Sequence, residues 1–137
     1  AENINELVQL LGIRRLSHVS KLEQNAIIFN QVFQKRVMLE VCLTSLTSIN
    51  SETNSKKSLL EILLRNKILF SLNSDKPTIY GTTLTQEYIK ACAIMGFSIF
   101  DLQQIILSTI DFIFDEELKD ALQGQFVQEF NIWNRLV

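Results

Sequence analysis

The stretch Ile68-Leu69-Phe70-Ser71-Leu72-Asn73-Ser74-Asp75-Lys76-Pro77 decides how this chain is read. Its first five residues form a short apolar run of the kind a buried strand needs. Asn, Ser, Asp and Pro follow at once, and these residue types end strands and turn the chain. A carboxylate at the C-terminal end of such a strand sits where α/β proteins carry their chemistry. Asp75 is therefore the first candidate site residue. The plainer reading is a turn or cap residue ahead of Pro77.

Upstream, two further runs have strand character. Residues 13–18 are short and partly apolar, and Val37-Met38-Leu39-Glu40-Val41-Cys42-Leu43 is β-branched and nearly continuous, the pattern of a strand covered on both faces. Helical spacing fills the gaps. Ile4, Leu7, Val8 and Leu11 predict a first helix stopped at Gly12. Ser20 with Glu23 makes a capping box for a helix burying Leu22, Ala26, Phe29 and Phe33, and Ser58 with Glu61 makes a second, for a short helix ending near Arg65. Residues 44–57, rich in Ser, Thr and Asn, read as a long loop, which inside a compact domain is more often functional than connective.

After the Asp75 loop the spacing predicts two amphipathic helices separated by Gly96. Thr83 with Gln86 caps the first, which carries Leu84, Tyr88, Ala91, Cys92 and Met95. Ser98 caps the second, which carries Leu102, Ile105, Ile106, Thr109, Ile110 and Ile113. Asp115 opens a last helix with Leu118, Leu122, Phe126, Phe130 and Trp133 on one side. The order α-β-α-β-α-β-α-α-α implies parallel strands with right-handed crossovers. No internal repeat, low-complexity tract or linker interrupts it, so residues 1–137 are expected to form one domain.

Composition narrows the classes. A hydrophobic content of 47% with 20% charged residues is that of a globular protein. The net charge of -2, with 13 scattered Lys and Arg, leaves no basic footprint for nucleic acid. No apolar run approaches the roughly 20 residues of a membrane span. Cys42 and Cys92, far apart and without Cys-x-x-Cys spacing, read as reduced residues of a cytoplasmic protein. Ala1 opens almost directly into a helix pattern without Met or leader, as expected of a processed, excised or truncated chain.

Asn73-Ser74-Asp75-Lys76-Pro77, followed by Gly81-Thr82-Thr83-Leu84-Thr85-Gln86-Glu87-Tyr88, resembles the eighth-strand motif of the adenosine deaminase family, Asn-Thr-Asp-Asp-Pro and then Gly-Thr-Thr-Leu-Thr-x-Glu-Tyr. Leu39-Glu40-Val41-Cys42-Leu43-Thr44-Ser45-Leu46 is similar to its seventh-strand Leu-Glu-Val-Cys-Pro-Thr-Ser-Asn. His18, in Leu16-Ser17-His18-Val19, falls where its sixth strand ends in Ile-Gly-His-Gly. The resemblance implies an α/β fold, the C-terminal part of a (β/α)8 barrel contributing strands six to eight and additional C-terminal helices; a complete barrel needs about 250 residues. It further implies that Asp75 is a zinc-ligand position and that His18 is the catalytic His that orients a zinc-bound hydroxide. Lys76 then occupies the substrate-binding position, where the family has the Asp that hydrogen-bonds the purine, so adenosine and zinc are the implied partners.

The departures are as specific as the likeness. Lys76 places a cation beside a zinc position, and like charges a few Å apart repel strongly in a dry site. Val19 and Ser17 replace the glycines flanking His18, Leu43 replaces Pro, Leu46 replaces Asn, and Lys67 stands where Gly is usual. Zinc in the family takes a His-x-His pair, a further His and the eighth-strand Asp, with a Glu as proton donor. This chain has 1 His, and one carboxylate does not hold Zn²⁺, which wants about four ligands. Two readings from different classes follow. One is the C-terminal piece of a zinc-dependent purine deaminase that acts only when joined by an N-terminal piece. The other is a catalytically dead pseudoenzyme or remnant serving as a binding module, with its unpaired strand edges open to self-association. Glu40 is expected to be a structural carboxylate facing Arg14 or Arg15, and Cys42 a core residue rather than a nucleophile. Thr82 to Tyr88 are expected to pack and cap.

Overall fold

The computed structural model describes residues 2–17, 25–45 and 53–136. The elements run α1 (Glu2–Leu10), β1 (Arg15–Ser17), α2 (Ala26–Gln34), β2 (Met38–Val41), α3 (Thr53–Arg65), β3 (Phe70–Leu72), α4 (Pro77–Tyr80), α5 (Leu84–Met95), α6 (Ile99–Ile110) and α7 (Glu116–Trp133). All pairings are parallel and the strand order is β1-β2-β3. Each βαβ step advances one strand in the same direction, which is how a barrel is wound; a doubly wound sheet reverses.

Register sorts the sheet into two faces. Leu16 pairs with Leu39 and Leu39 with Phe70, while Val41 pairs with Leu72. These residues join Val8, Ile28, Val32, Leu60, Leu63 and Ala91 in one apolar core between sheet and helices. The opposite face carries the row Ser17–Glu40–Ser71. Polar residues thus alternate with core residues because successive strand side chains point to opposite faces.

The helix-to-strand turns before β2 and β3 are built alike. Val37 N–H donates to the Val32 carbonyl at 3.0 Å and Arg36 N–H to that of Phe33 at 3.1 Å. Ile68 N–H donates to Leu63 at 2.9 Å and Lys67 N–H to Leu64 at 3.0 Å. Both are Schellman endings, in which the residue after the cap turns left-handed and an apolar pair closes the turn. Arg36 and Lys67 occupy that position at φ 52, where glycine would be unstrained.

Three expected caps match. Thr83–Gln86 and Ser98–Asp101 are reciprocal capping boxes, and the Asp115 carboxylate accepts from Leu118 N–H at 3.0 Å. Several boundaries differ. α2 starts at Asn25, whose side chain accepts from Ile28 N–H, and its buried residues are Ile28 and Val32; Ala26 and Phe33 face outward. The Ser20 box lies outside the described residues. α3 begins at Thr53, so Ser58-Leu59-Leu60-Glu61 lies inside a helix, and residues 43–45 form a helical turn where a loop was expected. α4, one turn after Pro77, was not foreseen. α7 buries no residue completely; of its predicted apolar side, Phe126, Phe130 and Trp133 line a cavity against α6, while Leu118 is exposed.

At the N-terminal end of the sheet, α6 packs against β3 and its continuation reaches β1. Arg14 donates to the Asp111 carbonyl at 3.1 Å and its guanidinium lies 5.3 Å from the Phe112 ring; Arg15 stands 5.9 Å from the Phe114 ring. Met38, Ile110 and Phe112 are buried. Residues 97 apart in the chain are thereby clamped together at this end.

Candidate functional site

β2 and β3 both end in polar corners. Asn73 continues the ladder, its N–H donating to the Val41 carbonyl at 2.9 Å, and its side-chain amide donates to Ser71 Oγ at 2.7 Å and to the Ser71 carbonyl at 3.2 Å. These bonds fix the exit of β3 and set Asp75, half-buried, in the loop beyond it. Lys76 follows with φ 42 and ψ 57, a left-handed conformation in which a lysine is strained. It precedes α4 without supplying a side-chain cap. Its side chain is exposed. Gly81, at φ 57, ends α4 and returns the chain to Thr82; with no Cβ it takes that turn at little cost.

The corner after β2 holds Cys42 and Thr44. Burial pushes the Cys42 thiol up from its ordinary 9.0 to about 11, and the charges of Asp75, Glu87 and Glu40 push the same way. A thiol held protonated at neutral pH is no nucleophile, in line with the expectation for Cys42. Glu40, one row below, accepts from Arg15 Nε at 2.8 Å, so the expected structural carboxylate finds Arg15.

Glu87, in the stretch expected to pack and cap, does pack, but its role in joining two corners is what sequence reasoning missed. It is fully buried. Its carboxylate accepts from Thr44 N–H at 3.0 Å and from the Thr82 hydroxyl at 3.0 Å, and it also bonds the Thr44 hydroxyl, which in turn accepts from Lys90 Nζ. The Lys90 ammonium is 3.9 Å from the carboxylate. The signal was present: Glu87 lies between Leu84 and Ala91 at spacings of three and four, on the apolar stripe of α5. A carboxylate on such a stripe must find donors or be expelled.

Of the sequence-predicted residues, Asp75 and Lys76 are adjacent in one loop, and His18 lies outside the described residues. Among the described residues no group of three or more His, Cys, Asp and Glu side chains is arranged to hold a metal ion. Asp75 offers one carboxylate, short of the about four ligands that Zn²⁺ wants, so the described residues do not by themselves make up a zinc site. A cavity of about 480 Å³ lies between α6 and α7, lined by Ile99, Ile106, Phe126, Phe130 and Trp133, and includes no residue of the strand-end motifs. No helix among the described residues is long and apolar enough to cross a membrane.

Known proteins match this architecture. The family model described as adenosine deaminase covers residues 1–127. The adenosine deaminase of Photorhabdus laumondii is 32% identical over 129 residues, which are 90% of this chain and 37% of that protein. An adenine deaminase from Arthrobacter aurescens superposes with a TM-score of 0.82 at 18% identity, over 95% of this chain and 40% of its own. A Zn-bound amidohydrolase from Burkholderia ambifaria gives 0.78 at 21% identity, over 98% and 38%. The chain thus spans less than half the length of these relatives, and its three strands are a partial (β/α)8 barrel. With the strand-end motifs, the winding of the sheet and the match over residues 1–127 in agreement, the chain belongs to the adenosine deaminase family.

Proposed function

We propose that residues 1–137 are a single domain supplying strands six to eight of a zinc-dependent purine nucleoside deaminase, and that these residues by themselves do not catalyse deamination. The carrying observation is the position of Asp75 at the C-terminal end of β3, beside the β2 corner, in a chain with 1 His. Hydrolytic deamination needs a metal to lower the pKa of bound water, a base to steer the hydroxide and a proton donor for the ring. Asp75 is assigned as the metal-ligand position contributed by this segment. His18 is assigned the catalytic base position and Lys76 the substrate-facing one, where an ammonium replaces the family's carboxylate. The zinc histidines and the proton-donor Glu would have to come from residues outside this segment, and adenosine from that completed site. A cytoplasmic location accords with two cysteines at separate places in the chain and no span-length helix among the described residues.

The second reading, a pseudoenzyme or remnant acting as an interaction module, is favoured by one observation. Lys76 puts a strained, left-handed cation next to Asp75. Metal analysis of the purified chain separates the ideas first. Stoichiometric zinc on the chain alone would sink the incomplete-site reading. The next step adds a complementary N-terminal half, from a deaminase with intact zinc histidines, and follows adenosine-to-inosine conversion. Turnover supports the deaminase reading, and reversion of Lys76→Asp is then expected to raise it. A stable complex without turnover, before and after the reversion, favours the interaction module. Concentration-dependent sedimentation of the chain alone reports whether the edges of β1 and β3 self-associate.

A further inference from the structure

Glu87 is a buried titratable group that the catalytic assignment does not use. It sits in the first turn of α5 and has no exposed surface. α5 already has apolar anchors: Ala91 is fully buried, and Tyr88 and Met95 pack against the core. A carboxylate in the same stripe adds direction where a hydrophobic residue would add only contact, because each of its bonds has a fixed partner and geometry. Those partners come from two different corners. Thr44, 43 residues earlier in the chain, belongs to the turn after β2. Thr82 is at the foot of the loop that carries Asp75. Lys90, one turn along α5, supplies the countercharge and also donates to Thr44. The arrangement joins three elements at one point and leaves the 73–82 loop closed at both ends: by Asn73 on the β2 ladder and by Thr82 on Glu87.

We infer that Glu87 is a positioning residue, which fixes the corner after β2 against the foot of the 73–82 loop and so sets where Asp75 stands relative to Cys42 and Thr44. The importance of that placement for a metal-ligand position rests on the deaminase reading; the tie itself does not. Amide hydrogen exchange of the purified chain tests the tie without metal or substrate. Glu87→Gln keeps the size of the side chain and removes its charge and one of its acceptors. Exchange is expected to rise about tenfold or more at Thr44 and through residues 73–83, with α7 unchanged. A merely structural contribution would raise exchange everywhere by a common factor, and that outcome, or no change at 73–83, overturns the inference. If Glu87→Gln does not fold, Thr82→Val decides by the same criterion, since it deletes the hydroxyl's bond to Glu87, with its longer contacts to Thr44 Oγ1 and the Thr83 carbonyl, and leaves the carboxylate with Thr44 and Lys90. A correct tie in a chain that never supports turnover would refute the deaminase reading and leave the positioning role intact.

Discussion

The two ends of the sheet are built from different chemistry. At the N-terminal end, twin Schellman turns close on Val32–Val37 and Leu63–Ile68, and Arg14 and Arg15 lie over Phe112 and Phe114. These contacts are backbone turns closed by apolar pairs and exposed guanidinium groups over aromatic rings, and none depends on a buried charge. At the C-terminal end, Glu87 meets Thr44, Thr82 and Lys90, and Asp75 stands in the loop above. Buried ions seldom maximise stability, because desolvation offsets most of the attraction. The comparison teaches that one end secures the three strands and the other holds side chains in place, the division expected of a barrel that carries chemistry at the C-terminal ends of its strands.

The comparison can be broken most severely at its apolar end. Leu63→Ala should cost about 2–5 kcal/mol, since Leu63 is fully buried and closes the turn before β3. Urea unfolding followed by circular dichroism measures it, and a loss well under 1 kcal/mol would contradict the assignment of stability to this end. Next in size is a gain. A left-handed conformation costs an ordinary residue about 1–2 kcal/mol, while glycine's greater freedom in the unfolded chain gives back about 0.5–1 kcal/mol. Arg36→Gly and Lys67→Gly should therefore each stabilise by about 0.5–1 kcal/mol, and additively, because they sit in separate turns. Destabilisation by both would show that their side chains matter more than their backbone. Arg14→Ala should cost about 1 kcal/mol through the lost contact with Phe112 and the Asp111 carbonyl, and should leave exchange at residues 73–83 unchanged.

The smallest effect is a titration at the other end. In a Cys92→Ser background, the pH dependence of iodoacetamide alkylation reports Cys42 alone. Half-maximal reactivity is expected near pH 11. Asp75→Asn should lower that midpoint, and it should stay above 9.0 because burial is the larger cause. Because the folded thiol holds its proton more tightly than the unfolded one, its contribution to stability is complete below pH 9.0 and is lost as pH rises through about 11. An unchanged midpoint in Asp75→Asn would place Asp75 away from the β2 corner.

Much of this was legible from local pattern. Short apolar runs marked the strands, and the Thr83, Ser98 and Asp115 caps declared the last three long helices, because a cap is satisfied within four residues of chain. The likeness of Asp75 and its neighbours to a family motif was equally local. What escaped were choices between local alternatives. The Asn25 cap of α2 escaped, because an Asn marks a helix start only once residues such as Ile28 and Val32 pack into the core. The second capping box was overridden because α3 begins a turn and a half earlier. Glu87 escaped because its role depends on Thr44, which contact in space alone brings near.

By itself the sequence determined which residues would be strand and helix over most of the chain, the polar corner around Asp75, the single His and the family. Those are properties of spacing and residue type, which need no neighbour beyond one helical turn. Tertiary structure alone decided that Glu87 joins two corners, that Lys76 is left-handed, and that the stretch after α6 returns to clamp β1. The first and the last depend on groups far apart in the chain meeting at a few Å, and that distance is fixed only when the core excludes water around them.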